Sequence, residues 1–117
     1  MREIKFRGQR VDTKEWVYGD LIKSFEGIYI VESDYFKPSN DEHPLLIEVI
    51  PETIGQYTGL KDKNGVEIYE WNILIEKGTT LTCKFANGGF IFCLPSGNRL
   101  TEIDTELMRV IGNIHEQ

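Results

Sequence analysis

Leu60-Lys61-Asp62-Lys63-Asn64-Gly65-Val66-Glu67-Ile68 is the stretch that decides how this 117-residue chain folds. Asn64-Gly65 is its strongest local hairpin signal, because both central positions of a type I′ turn need positive φ. Val66, Ile68 and Trp71 follow the turn, and Ile54-Gly55-Gln56-Tyr57-Thr58-Gly59-Leu60 leads into it with aromatic and β-branched residues. Gly55 and Gly59 mark places for bulges or close backbone approach.

The same chemistry continues in both directions. Upstream, Ile4 and Phe6 alternate with Glu3, Lys5 and Arg7, so a first strand should point its apolar residues one way and its charges the other. Asp12-Thr13-Lys14-Glu15 turns the chain into Trp16-Val17-Tyr18 and on to Leu21-Ile22, a hairpin. Phe25-Glu26-Gly27 turns it again into Ile28-Tyr29-Ile30-Val31, a run that suits a buried strand. No period holds over 32–44, where Pro38-Ser39-Asn40-Asp41 predicts a long surface loop before a strand over Leu45 to Ile50.

Downstream, Ile73-Leu74-Ile75 and Leu81-Thr82-Cys83-Lys84-Phe85 read as strands joined through Lys77-Gly78. Ala86-Asn87-Gly88-Gly89 reverses the chain into Phe90 to Leu94. Thr101-Glu102-Ile103-Asp104 resembles a capping box opening one short helix near Thr101 to Leu107, and Val110, Gly112 and Ile114 alternate as a closing strand. Many short strands between turns predict a mainly β, antiparallel protein of small-barrel or sandwich type. The length is that of one domain over 1–117, able to bury roughly 65% of its unfolded surface.

Composition bounds the partners. A formal net charge of −6 opposes non-specific nucleic-acid binding, which relies on Lys and Arg neutralising phosphates, although Arg2, Lys5, Arg7 and Arg10 gather near one end. No apolar run approaches the roughly 20 residues of a membrane helix. The N-terminal residues lack a signal peptide's apolar stretch, so the expected location is the cytoplasm.

No chemistry-bearing motif emerges. With a three-residue loop at 87–89, Cys83 and Cys93 would face each other across their hairpin, within conceivable disulfide reach. Cytoplasmic thiols stay reduced, and a lone pair at this separation fits no common zinc pattern, so both are read as core residues. His43 and His115 lack a neighbouring nucleophile, and spacing does not bring Glu48, Glu52, Asp62, Glu67 and Glu70 together. No cofactor is implied. Trp16, Tyr18, Tyr57, Tyr69 and Trp71 either fill the core or act as rigid binding anchors. With Arg2, Lys5 and Arg7 they form the candidate interaction set.

The block from Pro51-Glu52-Thr53-Ile54-Gly55 through Asp62-Lys63-Asn64-Gly65 to Ile68-Tyr69-Glu70 resembles the signature of the YopX-like proteins of bacteriophages and prophages. Ile4-Lys5-Phe6-Arg7, Trp16-Val17-Tyr18-Gly19-Asp20 and the closing Val110-Ile111-Gly112-Asn113-Ile114-His115-Glu116 extend the likeness over nearly the whole chain. The resemblance implies an N-terminal β portion over 1–59, an SH3-like barrel over 60–117 and a phage or prophage origin. The role it leaves open is expected to be that of a non-enzymatic module that self-associates or binds another protein, with a nucleic-acid-binding module and an enzyme of unknown class as alternatives. One departure stands out. Relatives usually follow the Tyr-Glu pair with Gly-Asp, where this chain has Trp71-Asn72. A glycine there suggests positive φ, a conformation that Asn72 should accept more readily than Trp71.

Overall fold

The computed structural model describes residues 4–32, 46–86, 88–100 and 104–115. Arg2 and most of the expected 32–44 loop, with His43, lie outside these residues. Ten strands follow in order: β1 Phe6–Gln9, β2 Trp16–Ser24, β3 Gly27–Glu32, β4 Ile47–Glu48, β5 Gly55–Lys61, β6 Glu67–Tyr69, β7 Asn72–Glu76, β8 Thr79–Ala86, β9 Gly89–Cys93 and β10 Arg109–Asn113. The protein is mainly β, and every named strand pair is antiparallel. The chain forms two compact units, Met1–Gln56 and Tyr57–Gln117, and β5 runs from the first into the second.

In the first unit, β4, β3, β2 and β1 lie side by side, and the start of β5 pairs with β1 through Gly55 and Gln56. Its core gathers Val17, Ile30 and Val49, with Leu21, Ile28, Ile47 and Ile54 around them. Alternation along β2 explains this, because Val17 and Leu21 share a face and Leu21 opposes Ile30. Gly19 lies between them, where a Cβ would fall 2.1 Å from the Val31 carbonyl oxygen. Only glycine permits that approach of β3.

The expected alternation of β1 holds from Phe6 to Gly8, but its charged face is covered and not solvated. Arg7 is only 8% exposed, whereas Ile4 is exposed and precedes the strand. The pairing Gly8↔Val17 turns Gly8 toward the core, where its missing side chain makes room for Val49. Arg7 therefore takes the opposite face, with its guanidinium 4.6 Å from the centre of the Trp16 ring.

In the second unit, β10, β7, β8 and β9 form a four-stranded sheet, and β5 pairs with β6 across a register shift between Tyr57 and Lys61. Ile68, Leu74, Leu81, Cys83, Phe92 and Met108 make the core, with Phe90, Leu94, Leu100 and Val110 packed on it. The arrangement is compatible with an SH3-like barrel. Glu76↔Thr79 pairing leaves Lys77 and Gly78 as a two-residue turn, with φ of 49° and 81°. Positive φ at both is the type I′ requirement.

Two further expectations change here. Cys83 opposes Phe92 while Cys93 opposes Thr82, because the β8 to β9 connection holds two residues, not three. The cysteines thus sit one register step apart on opposite faces, and no disulfide joins them. In place of a helix near Thr101 to Leu107 there is a 3₁₀ turn over Thr105–Leu107, capped by the Asp104 carboxylate, which accepts from the Glu106 N–H at 3.1 Å. Residues 101–103 lie outside the described residues, and β10 starts two residues beyond Leu107.

Candidate functional site

Asp62, the residue before the Lys63-Asn64-Gly65 turn, is 5% exposed, an unusual depth for a carboxylate. Its Oδ1 accepts the N–H groups of Asn64 at 2.8 Å and Val66 at 2.9 Å. Its Oδ2 accepts the N–H of Val110 on β10 at 2.9 Å. The main chain reinforces this, since Lys63 N–H donates to the Met108 carbonyl at 3.0 Å and Asp62 N–H to the Val66 carbonyl at 2.9 Å. One side chain therefore closes the turn and ties it to a strand 48 residues away.

The turn type differs from the expected type I′. Gly65 N–H donates to the Asp62 carbonyl at 3.0 Å and Gly65 has φ of 81°, but Asn64 is not among the positive-φ residues. This is a three-residue loop, a four-residue turn followed by a left-handed glycine that makes the bulge. Burial works to raise the Asp62 pKa. The hydrogen bonds from Val110, Val66 and Asn64, with attraction from Lys63, outweigh burial and hold the pKa below the ordinary carboxylate value.

A second buried polar side chain works beside the first. Asn72 accepts the Tyr69 N–H on Oδ1 at 2.7 Å and donates from Nδ2 to the Gly112 carbonyl on β10 at 3.0 Å. A carboxylate at this position would keep the first bond and lack the second donor. The positive φ falls on Trp71, at 78°, and not on Asn72. For a bulky residue this conformation costs about 1–2 kcal/mol. Flanking bonds enforce it: Trp71 N–H donates to the Cys83 carbonyl at 2.7 Å, and Ile114 N–H to the Trp71 carbonyl at 3.1 Å. The indole meets the His115 ring edge-on at 6.2 Å.

The remaining candidates separate by environment. Tyr57 and Tyr69 are buried with ring centres 5.4 Å apart, and the Tyr69 hydroxyl donates to Glu67 at 3.0 Å, so these two belong to the core. Tyr18, on the Arg7 face of β2, is 44% exposed; Trp16 on that face is half-buried against Arg7, and Lys5 is also half-buried. Arg10 grips Asp12 through two hydrogen bonds of 2.9 Å, which holds the Asp12 carboxyl down at about 2. That pair lies at a cleft of about 410 Å³ that Glu32, Leu46, Ile47 and Glu48 also line. Among the described residues no group of three or more His, Cys, Asp or Glu side chains is placed to hold a metal ion. Sequence reading missed the roles of Asp62 and Asn72. The available signal was Asp at the first turn position with Asn two residues on, a pattern that favours side chain to backbone bonds.

A family model described as YopX protein matches residues 5–117. The chain belongs to the YopX family. A likeness in fold spans both units: the crystal structure of protein EF1440 from Enterococcus faecalis superposes with a TM-score of 0.62, covering 99% of this chain and 96% of that one at 23% identity. No curated protein is matched. The matched residues include the Asp62 turn and the strained position at Trp71.

Two outcomes follow for the pair. The folded pKa of Asp62 is below its unfolded value, so its contribution is present above the unfolded pKa and disappears as pH falls through the folded one. Urea unfolding from neutral pH downward should show wild-type stability dropping below about pH 4. D62A should lose about 3 kcal/mol at pH 7, from orphaned amides, and much less at the acid end. At Trp71, glycine removes both strain and indole while alanine removes only the indole. W71G should therefore exceed W71A in unfolding free energy by about 1 kcal/mol, and equal values would refute strain at this position.

Proposed function

We propose that this YopX family member is a phage or prophage accessory protein that acts in the cytoplasm by non-enzymatic contact, with further copies of itself or with another protein. The observation that carries this reading is the set of large apolar side chains left in water on strands and turns: Tyr18, Phe25 and Phe85, the last stacked edge-on against Phe90 at 5.1 Å. A ring held fully in water, as Phe25 is, is a rigid anchor that a macromolecular partner can cover. The buried carboxylate with the displaced pKa supports the non-enzymatic part, because both Asp62 oxygens are committed to backbone amides. The phage setting comes from the family likeness. No helix among the described residues is long and apolar enough to cross a membrane.

Nucleic-acid binding is the second reading, and specific contacts weigh against it. The Arg7 guanidinium lies buried over Trp16 and Arg10 is neutralised by Asp12, so the basic end offers phosphates little free charge.

Light scattering over a wide range of protein concentration, together with crosslinking capture during prophage induction, tests the proposal. A mass above that of the monomer, or a reproducible crosslinked protein partner, is expected. A strict monomer with no crosslinked protein would overturn it, and low-salt anisotropy with oligonucleotides should show no binding.

A further inference from the structure

Strands β2 and β3 close on each other at Ser24↔Gly27, which leaves Phe25 and Glu26 as the hairpin apex. Phe25 is 99% exposed. Nothing in the conformation of a tight turn calls for a phenyl ring, since glycine, asparagine, aspartate and serine make such turns. Ile22, three residues back, is also exposed, so two apolar side chains stand in water near the end of the arm.

The second unit has a cleft that answers this shape. About 310 Å³ in volume, it opens beside the Lys77-Gly78 turn and is lined by Glu76, Lys77, Thr79, Leu81, Leu94 and Leu100. Leu81 is core, and Leu94 and Leu100 pack on the same core, so the floor is apolar. The volume is at the bottom of the range for small-molecule sites, about 300–1,000 Å³, and suits one aromatic side chain with its turn. Charges at the two places also match. Lys23 and Glu26 flank Phe25, and Glu76 and Lys77 line the cleft, one of each sign on either side.

We infer that Phe25 of one chain seats in the Leu81, Leu94 and Leu100 cleft of a second copy, with Lys23 meeting Glu76 and Glu26 meeting Lys77. The inference rests on the self-association reading above and names its contact. Knob and cleft are different surfaces and each copy carries one of each, so the contact closes as a reciprocal pair, a ring or an open chain. Matching shape and charge on the same chain favour a second copy over an unrelated protein.

Two variants separate the halves of the contact. F25S keeps the cleft and removes the knob, while T79R keeps the knob and places a long side chain at the cleft from an exposed position. Each should fold, as circular dichroism will show, and should associate roughly 10- to 100-fold more weakly than wild type in sedimentation velocity. An equal mixture of the two should form a one-to-one dimer, because one functional knob and one functional cleft remain. K23E should also weaken association, and K23E with E76K should restore it. F25S assembling like wild type, or a mixture that stays monomeric, would overturn the contact while leaving the wider self-association reading standing. A wild type that is monomeric throughout would overturn both, and only the reading of an unrelated protein partner would remain.

Discussion

The carboxylate of Asp62, out of water and held by three backbone amides, is the constraint on which the second unit depends. An ionised group at that depth is tolerable only if both oxygens are hydrogen-bonded, because unpaired burial of a charge is far costlier than any single contact is favourable. The amides come from two places, the 62–66 turn and β10, so satisfying the charge also fixes where β10 runs. Once β10 is set, Val110 lies against Leu74 and the 3₁₀ turn before it delivers Met108 to the core. Asn72 repeats the device at the far end of β10 by donating to the Gly112 carbonyl. Two polar side chains thus define the edge of an otherwise apolar sheet.

Trp71 shows what this rigidity can support. Its left-handed conformation persists because Asn72, Cys83 and Ile114 fix the chain on both sides. A site whose surroundings are over-determined can carry a residue that would otherwise be excluded.

Much of this was legible in the sequence. β-prone runs bounded by turn residues located β2, β7 and β8, and alternation located β10, because strands and turns write their chemistry directly into the local sequence. The errors share one cause. Asn64-Gly65 was read as a two-residue turn, and Cys83 and Cys93 as facing each other across a three-residue loop, because turn length and register depend on pairing that local sequence does not specify. The burial of Arg7 is hidden as well, since nothing local reveals that the Trp16 ring on β2 covers its face of β1. The role of Asp62 was hidden more deeply, because its third donor, Val110, is 48 residues distant. The interaction surface was only partly legible: aromatic residues on strands look alike until burial separates Tyr57 and Tyr69 from Tyr18. Phe25 was seen as part of a turn and not as an exposed ring.

Amide hydrogen exchange measured by NMR tests most directly whether Asp62 joins the turn to β10. The amides of Asn64, Val66 and Val110 should be protected in the wild type. In D62A all three should exchange faster, while the Trp71 amide, bonded to the Cys83 carbonyl, keeps its protection. Unchanged protection of Val110 in D62A, or rapid exchange of Val110 in the wild type, would contradict the link.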